Sequence, residues 1–230
     1  MKRIIIINFI AGIALLCSCK LDDYAVPDIV LEGNVVDVAT GENVPTRQPD
    51  GIKIRLLEEG YKSPVPYDFW AKSDGSFRNT KIFSGKYKII ATEGAFEQAS
   101  VDTQLVDLTK NQNITFKVEP FARVTDVSIV KSGNGIKATY KISQGASTKK
   151  ILKSMLICYT SPILHETTTG KLSSAENDLS GMTTGEIEGQ SFTDTIDNLE
   201  AGKTYYARVA VQTENSLNRY NYSPIIQIDF

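Results

Sequence analysis

Only one histidine occurs in the chain, His165, set between Leu164 and Glu166. A Ser-His-Asp hydrolase would have to use it, and the G-x-S-x-G turn that exposes such a serine is absent. A zinc centre needs several nitrogen or sulfur ligands, yet neither HExxH nor a second histidine is present. Gly202-Lys203-Thr204 ends like a phosphate-binding loop, but Asp197 stands where the first glycine of that motif belongs. Paired carboxylates hydrolyse glycosides when they converge on one bond. Asp22/Asp23 fall in an N-terminal tether and Glu58/Glu59 at a strand end, and their spacing brings neither pair onto a common site. Asp74-Gly75 lacks the further acidic ligands that a calcium loop requires and reads as a turn. No catalytic residue, metal site or cofactor is therefore expected, and the chain reads as non-enzymatic.

Binding chemistry is better represented. Aromatic rings carry negative potential on their faces, which suits the C–H faces of sugar rings. Tyr67, Phe69 and Trp70 crowd one short segment, and Tyr220 and Tyr222 another. The candidate glycan-contacting residues are Trp70, Tyr67 and Tyr220. Strand alternation must bury some of the first group, and core packing is the favoured reading for Trp70, the only tryptophan. For Tyr220 and Tyr222, packing on the preceding strand is favoured, with Tyr220 the more exposed of the two.

The elements that would carry these residues are short strands separated by turns, running from residue 29 to 230. No segment of a dozen residues keeps a helical period. This is the pattern of β-sandwiches. A first unit, residues 28–119, has about seven strands, near 30–37, 52–56, 67–71, 76–77, 87–90, 101–105 and 114–118. Ile52-Lys53-Ile54-Arg55-Leu56 alternates apolar and basic residues, so one face is buried and the other wet. Glu119-Pro120-Phe121 forms a joint, where proline cannot donate to a ladder and stiffens the link. A second unit, residues 121–230, has strands near 124–130, 136–142, 151–159, 191–199, 205–211 and 222–230, with 167–185 a long exposed loop. The expected fold is all-β, two tandem β-sandwiches. Leu199-Glu200-Ala201-Gly202-Lys203-Thr204-Tyr205 resembles the start of strand F in fibronectin type III domains, where a tyrosine hydroxyl bonds back to the backbone. Tyr205, Ala207, Val209 and Val211 should then face inward, with Tyr206 and Arg208 outward.

The N-terminus sets a compartment. Lys2 and Arg3 precede an apolar stretch over residues 4–16, broken only by Asn8. That is a signal peptide, residues 1–18, and is too short for a transmembrane helix. Leu16-Cys17-Ser18-Cys19 resembles a bacterial lipobox, which makes Cys19 the lipidated residue and 19–27 a tether. Two or more acyl chains hold a protein stably, at about 0.8 kcal/mol per buried methylene. Lys20-Leu21-Asp22-Asp23 resembles the surface-export signal of Bacteroidota lipoproteins. Of three cysteines, with Cys17 removed and Cys19 acylated, Cys158 alone is then left as a free thiol, and Ile157-Cys158-Tyr159 favours a buried, inert one. Lys and Arg number 25 against 27 Asp and Glu; losing Lys2 and Arg3 leaves 23 against 27, or −4. That balance has no basic footprint for nucleic acid, and the charges are interspersed as on a solvated surface.

Three stretches together resemble a Bacteroidota outer-membrane lipoprotein family of unknown function. They are Asp74-Gly75-Ser76-Phe77-Arg78-Asn79-Thr80-Lys81-Ile82-Phe83-Ser84-Gly85-Lys86-Tyr87, Val118-Glu119-Pro120-Phe121, and Tyr205-Tyr206-Ala207-Arg208-Val209 followed by Arg219-Tyr220-Asn221-Tyr222-Ser223. The resemblance implies a transthyretin-like (carboxypeptidase regulatory-like) domain followed by an immunoglobulin- or fibronectin-like one. It further implies an accessory role in glycan binding or uptake beside a starch-utilisation-type outer-membrane transporter and its glycan-binding lipoprotein, with a polysaccharide as ligand. It carries over no site residue. A structural spacer or adhesin- or pilus-like scaffold is the alternative. Asp194-Thr195-Ile196 also resembles the acidic-Thr-apolar O-glycosylation sequon of such bacteria.

Overall fold

A computed structural model describes residues 25–145 and 149–230. The signal peptide, Cys17, Cys19 and tether residues 19–24 lie outside the described residues.

Seven strands build the first unit: β1 (Ile29–Asp37), β2 (Lys53–Glu58), β3 (Tyr67–Trp70), β4 (Ser76–Ile82), β5 (Gly85–Thr92), β6 (Gln104–Leu108) and β7 (Gln112–Val118). They form two sheets, ordered β4-β1-β7 and β3-β2-β5-β6. All pairings are antiparallel except β1 with β7, which run parallel from Leu31↔Gln112 to Asp37↔Val118. The strand period of two explains the packing. Alternate residues of β1, among them Leu31 and Val35, join Phe77 and Phe116 of the neighbouring strands β4 and β7 and face Ile54, Leu56 and Ile89 across the sandwich. Phe77 sits edge-on to Phe69 at 6.1 Å and tilted against Phe116 at 6.0 Å. The strand expected at 101–105 forms three residues later, because Gln98–Ser100 close a 3-10 turn and Val101 drops into the core.

The second unit contains β8 (Ala122–Ser132), β9 (Gly135–Gln144), β10 (Ile151–Tyr159), β11 (Leu172–Ser173), β12 (Asn177–Asp178), α1 (Thr184–Glu188), β13 (Phe192–Ile196), β14 (Thr204–Thr213), β15 (Tyr220–Tyr222) and β16 (Ile226–Asp229). One sheet is β13-β9-β8; the other is built on the β10–β14 pair, flanked by β11 and β12 on one side and β15 and β16 on the other. The segment 167–185 is thus not a free loop. Its two short strands add to the edge of β10, and α1 starts on a reciprocal capping box between Thr183 and Glu186. The last strand is split at Pro224, which has no N–H to give; beside the break the Val209 amide donates to Ser223 Oγ at 3.0 Å and the Val209 carbonyl accepts from the Ser223 amide at 3.0 Å. Cys158 is buried, and burial pushes its thiol up to about 11.

The tyrosine corner is present. The Glu200 amide donates to the Tyr205 hydroxyl at 3.1 Å, Leu199 is buried, and Gly202 takes a left-handed φ of 79°. Asp194, from the sequon-like triplet, points inward. Its carboxylate accepts from Tyr140 Oη at 2.8 Å and Asn177 Nδ2 at 2.9 Å, while Thr195 is exposed.

Asp74-Gly75 is a turn: Asp74 Oδ1 accepts from the Ser76 amide and hydroxyl at 2.9 and 2.7 Å. Gly75 has φ 81°, and a Cβ there would lie 2.5 Å from the Val44 carbonyl oxygen. Gly75→Ala should therefore lower stability by more than the roughly 1–2 kcal/mol cost of left-handed backbone alone. A urea midpoint shifted by less than that would show that the turn rearranges.

Candidate functional site

The outer face of the β10–β14 sheet is dry where it meets the first unit. Alternation along β14 sends Tyr205, Ala207, Val209 and Val211 into the second core. On the opposite face Ala210 joins Met155, Ile157, Leu164, Tyr220 and Tyr222 in a third apolar cluster. Arg208 lies on that face, outward from the second core as expected, yet it is fully buried. Alternation had its direction right; loops of the first unit and the 160–168 segment cover it.

The guanidinium bridges the two units. Arg208 Nη1 donates to the Thr46 carbonyl at 2.9 Å, and Nη2 donates to the Leu164 carbonyl. Its carbon lies 3.7 Å over the Tyr222 ring, a cation–π contact in a desolvated place. Nε has no partner. Burial pushes the Arg208 pKa down to about 10 against the pull of Tyr222 and Glu166, so the group stays cationic at neutral pH. Tyr222 donates to Glu166 Oε2, and Glu166 Oε1 takes Arg47 Nη1 at 2.6 Å. Arg47 is held from its own side by Asp50, at 2.8 and 2.7 Å. Burial, and then the Glu166 charge, raise the Tyr222 phenol well above its ordinary value, keeping it a donor.

The joint is fixed as tightly. Arg123 grips Asp37 with both arms, Nε to Oδ2 at 2.5 Å and Nη2 to Oδ1 at 2.8 Å. Burial opposes the Asp37 charge, but hydrogen bonds from Arg123 and the Ala39 amide outweigh it and hold the pKa below 3.8. Buried Asn221 donates to the Ala95 carbonyl at 2.9 Å and accepts from the Ala122 amide at 3.1 Å. Arg219 Nε donates to the Glu93 carbonyl at 3.0 Å. The Phe121 amide bonds to Ala95 across Pro120.

Beside this joint a cleft of about 530 Å³ opens between the units, within the range of small-molecule sites. Asp37, Asn43, Val44, Ser73 and Asp74 line one wall; Arg123, Val124, Thr125, Pro224 and Ile225 line the other. Carboxylate, amide and hydroxyl groups thus alternate with flat apolar surface. This cleft was not readable from sequence, since four separate segments make it.

The three sequence candidates do not converge on it. Trp70, 36% exposed, stands on the outer face of β3 rather than in the core, with Lys53 Nζ 4.7 Å over its ring. Lys53 is held there by Glu93 at 2.5 Å, and Asp68 pairs with Arg55 at 2.7 Å. Tyr67 lies on the opposite side of the same strand, its hydroxyl bonded to Asn79 and the Lys81 carbonyl. Tyr220 is 8% exposed, stacked on Tyr222 and bonded to Gln212, so both tyrosines of that pair are buried. His165 Nδ1 meets Thr167 Oγ1 at 3.0 Å, not a carboxylate. Among the described residues, no group of three His, Cys, Asp or Glu gathers that could hold a metal.

Comparison with known proteins bears on this arrangement. Residues 29–119 match the model described as the N-terminal domain of a protein of unknown function, DUF3823. Residues 122–227 match the model of its C-terminal domain, DUF3823_C. A crystal structure of a candidate carbohydrate binding protein from Bacteroides uniformis superposes with a TM-score of 0.75 at 24% identity, covering 89% of this chain and 100% of that one. DUF3823 family proteins from Bacteroides uniformis and Bacteroides ovatus follow, with TM-scores of 0.72 and 0.70 and identities of 23% and 25%. They cover 88% and 87% of this chain and 99% and 98% of their own. No curated protein matches the chain by sequence.

Arg208→Ala leaves the Thr46 and Leu164 carbonyls buried without a donor, at about 1–3 kcal/mol each. The coupling between units should then fail, and calorimetry should resolve two transitions where the parent shows one. Asp37→Asn should weaken the joint by about 1.5–3 kcal/mol, the worth of a hydrogen bond to a charged group. Because the folded-state pKa of Asp37 is depressed, its stabilisation is complete above 3.8 and is lost as pH falls through the lower folded value. Melting curves at neutral pH and near pH 3 should show a smaller acid loss in Asp37→Asn than in the parent; equal losses would show that the pair does not carry the acid sensitivity.

Proposed function

This chain belongs to the DUF3823 family, whose N- and C-terminal domain models between them span nearly all the described residues; from that footing we propose that it is a non-enzymatic, lipid-anchored accessory protein that binds carbohydrate at the outer membrane. The observation that carries the reading is the cleft held open between two immobilised sandwiches. Its polar groups suit sugar hydroxyls, and Val44, Val124, Pro224 and Ile225 offer apolar surface to a ring face. The carbohydrate binding attributed to the Bacteroides uniformis relative supports the ligand class. Anchoring through acylated Cys19, exposure at the cell surface, and work beside an outer-membrane glycan transporter and its glycan-binding lipoprotein complete the proposal. Anchoring and exposure rest on the lipobox-like Leu16-Cys17-Ser18-Cys19 and the residues after it, and the transporter partnership rests on the family resemblance alone. Two sandwiches in fixed relation also suit a structural spacer, and the locked joint is the feature that favours this second reading.

Affinity electrophoresis against a panel of bacterial, plant and host polysaccharides separates the two. Retardation by one glycan is expected, lost in Thr125→Trp, which fills the cleft from an exposed strand position, and kept in Trp70→Ala. Loss in Trp70→Ala alone would move the site to the outer face of β3. No retardation by any glycan would overturn carbohydrate binding and leave the spacer.

A further inference from the structure

The first unit has two ends of opposite character. One faces the second unit and contains Asp37, the 72–75 turn, Glu93 and Val118. The other contains residues 25–28, the 59–66 loop, the 83–84 turn and the 109–111 turn. Ladder registers fix this second group together: Ile29 pairs with Ile82, Gly85 pairs with Leu108, and the Val30 amide donates to Asn111 Oδ1.

Large apolar side chains are left bare at this far end. Val65 is 87% exposed, Tyr61 65% and Phe83 50%; Val26 is exposed beside them. The Phe83 carbonyl accepts from the buried Tyr87 hydroxyl at 3.1 Å. Burial raises the Tyr87 phenol, and Glu58, Tyr61 and Tyr67 lie close enough to push it the same way. Pro64 and Pro66 stiffen the loop that carries Val65. Lys62, Lys81 and Lys110 are exposed at the same end, as are Asp28 and Glu58, whereas Glu59 is paired with Lys88.

The chain enters the fold at this end. Five residues, Lys20 to Tyr24, separate Cys19 from Ala25, a reach of at most about 20 Å when fully extended. An acylated Cys19 therefore keeps this end within that distance of the lipid surface. Aromatic side chains with a wet hydroxyl and an apolar body settle at membrane interfaces, with lysines reaching to headgroups around them. The tether supplies a high local concentration, so a small patch suffices.

We propose that the Tyr61–Val65–Phe83 end of the first unit rests on the lipid surface that holds the anchor, orienting the molecule with its second unit outward. The inference rests on acylation of Cys19. Single-tryptophan reporters in the full lipid-bearing chain test it: Trp70→Phe combined with Phe83→Trp, with Tyr61→Trp as a second position, and with Val130→Trp on β8 as a distant control. Each is bound to vesicles of phosphatidylethanolamine and phosphatidylglycerol with brominated acyl chains. Emission at positions 83 and 61 should shift to the blue and be quenched, and emission at 130 should be unchanged. Protein that floats with the vesicles but is unquenched at 83 and 61 overturns the seating and leaves the anchor standing. Protein that fails to float overturns both. A response at 83 to soluble polysaccharide but not to brominated lipid would make this end a glycan platform instead and overturn the proposal.

Discussion

A guanidinium sealed from water keeps its charge and must find acceptors, and Arg208 finds two of them in different places. Thr46 belongs to the first unit and Leu164 to the second, so both terminal nitrogens are bonded only while the units keep their present relation. Tyr222 supplies a ring face below it, and Glu166 supplies a compensating charge that is itself held by Arg47 from across the interface. Removing a single partner from such a network strands a buried charge or carbonyl, which makes the arrangement all-or-none. The shape of the cleft is a by-product of that requirement.

The joint works toward the same end by other means. Three residues separate β7 from β8, one of them proline, and their neighbours Ala95 and Asn221 absorb the backbone polar groups that a bend would expose. Two domains linked so briefly, and bonded on several sides of the link, have no hinge to open. A ligand entering the cleft would meet walls already in place and would spend little on ordering them.

Much of the scaffold was legible because burial in a sandwich alternates with every residue. Strands β1, β2, β7, β9 and β10 follow that alternation or a continuous apolar run, and the tyrosine corner has a local spelling from Leu199 to Tyr205. Alternation says which side chains share a face; it does not say what lies against that face. The packing expected for Tyr220 is found, but the burial of outward-facing Arg208 could not be read for that reason: part of its cover, the Thr46 carbonyl, lies 162 positions away. Trp70 lay on a strand of four residues, too short for its period to choose a side. Segments 172–173 and 177–178 read as loop because two-residue strands have no period at all, and only the open edge of β10 recruits them.

The parallel pairing of β1 and β7 has a mechanical meaning. The chain enters β1 at one end of the first unit and leaves β7 at the other, toward the second unit. Tension between the two termini therefore pulls these neighbours in opposite directions along their length. The seven residue pairs from Leu31↔Gln112 to Asp37↔Val118 are loaded in shear, all at once, rather than peeled one after another. Drag on the outer domain would be borne by the strongest geometry a sheet offers, and the rest of the sandwich would feel little of it.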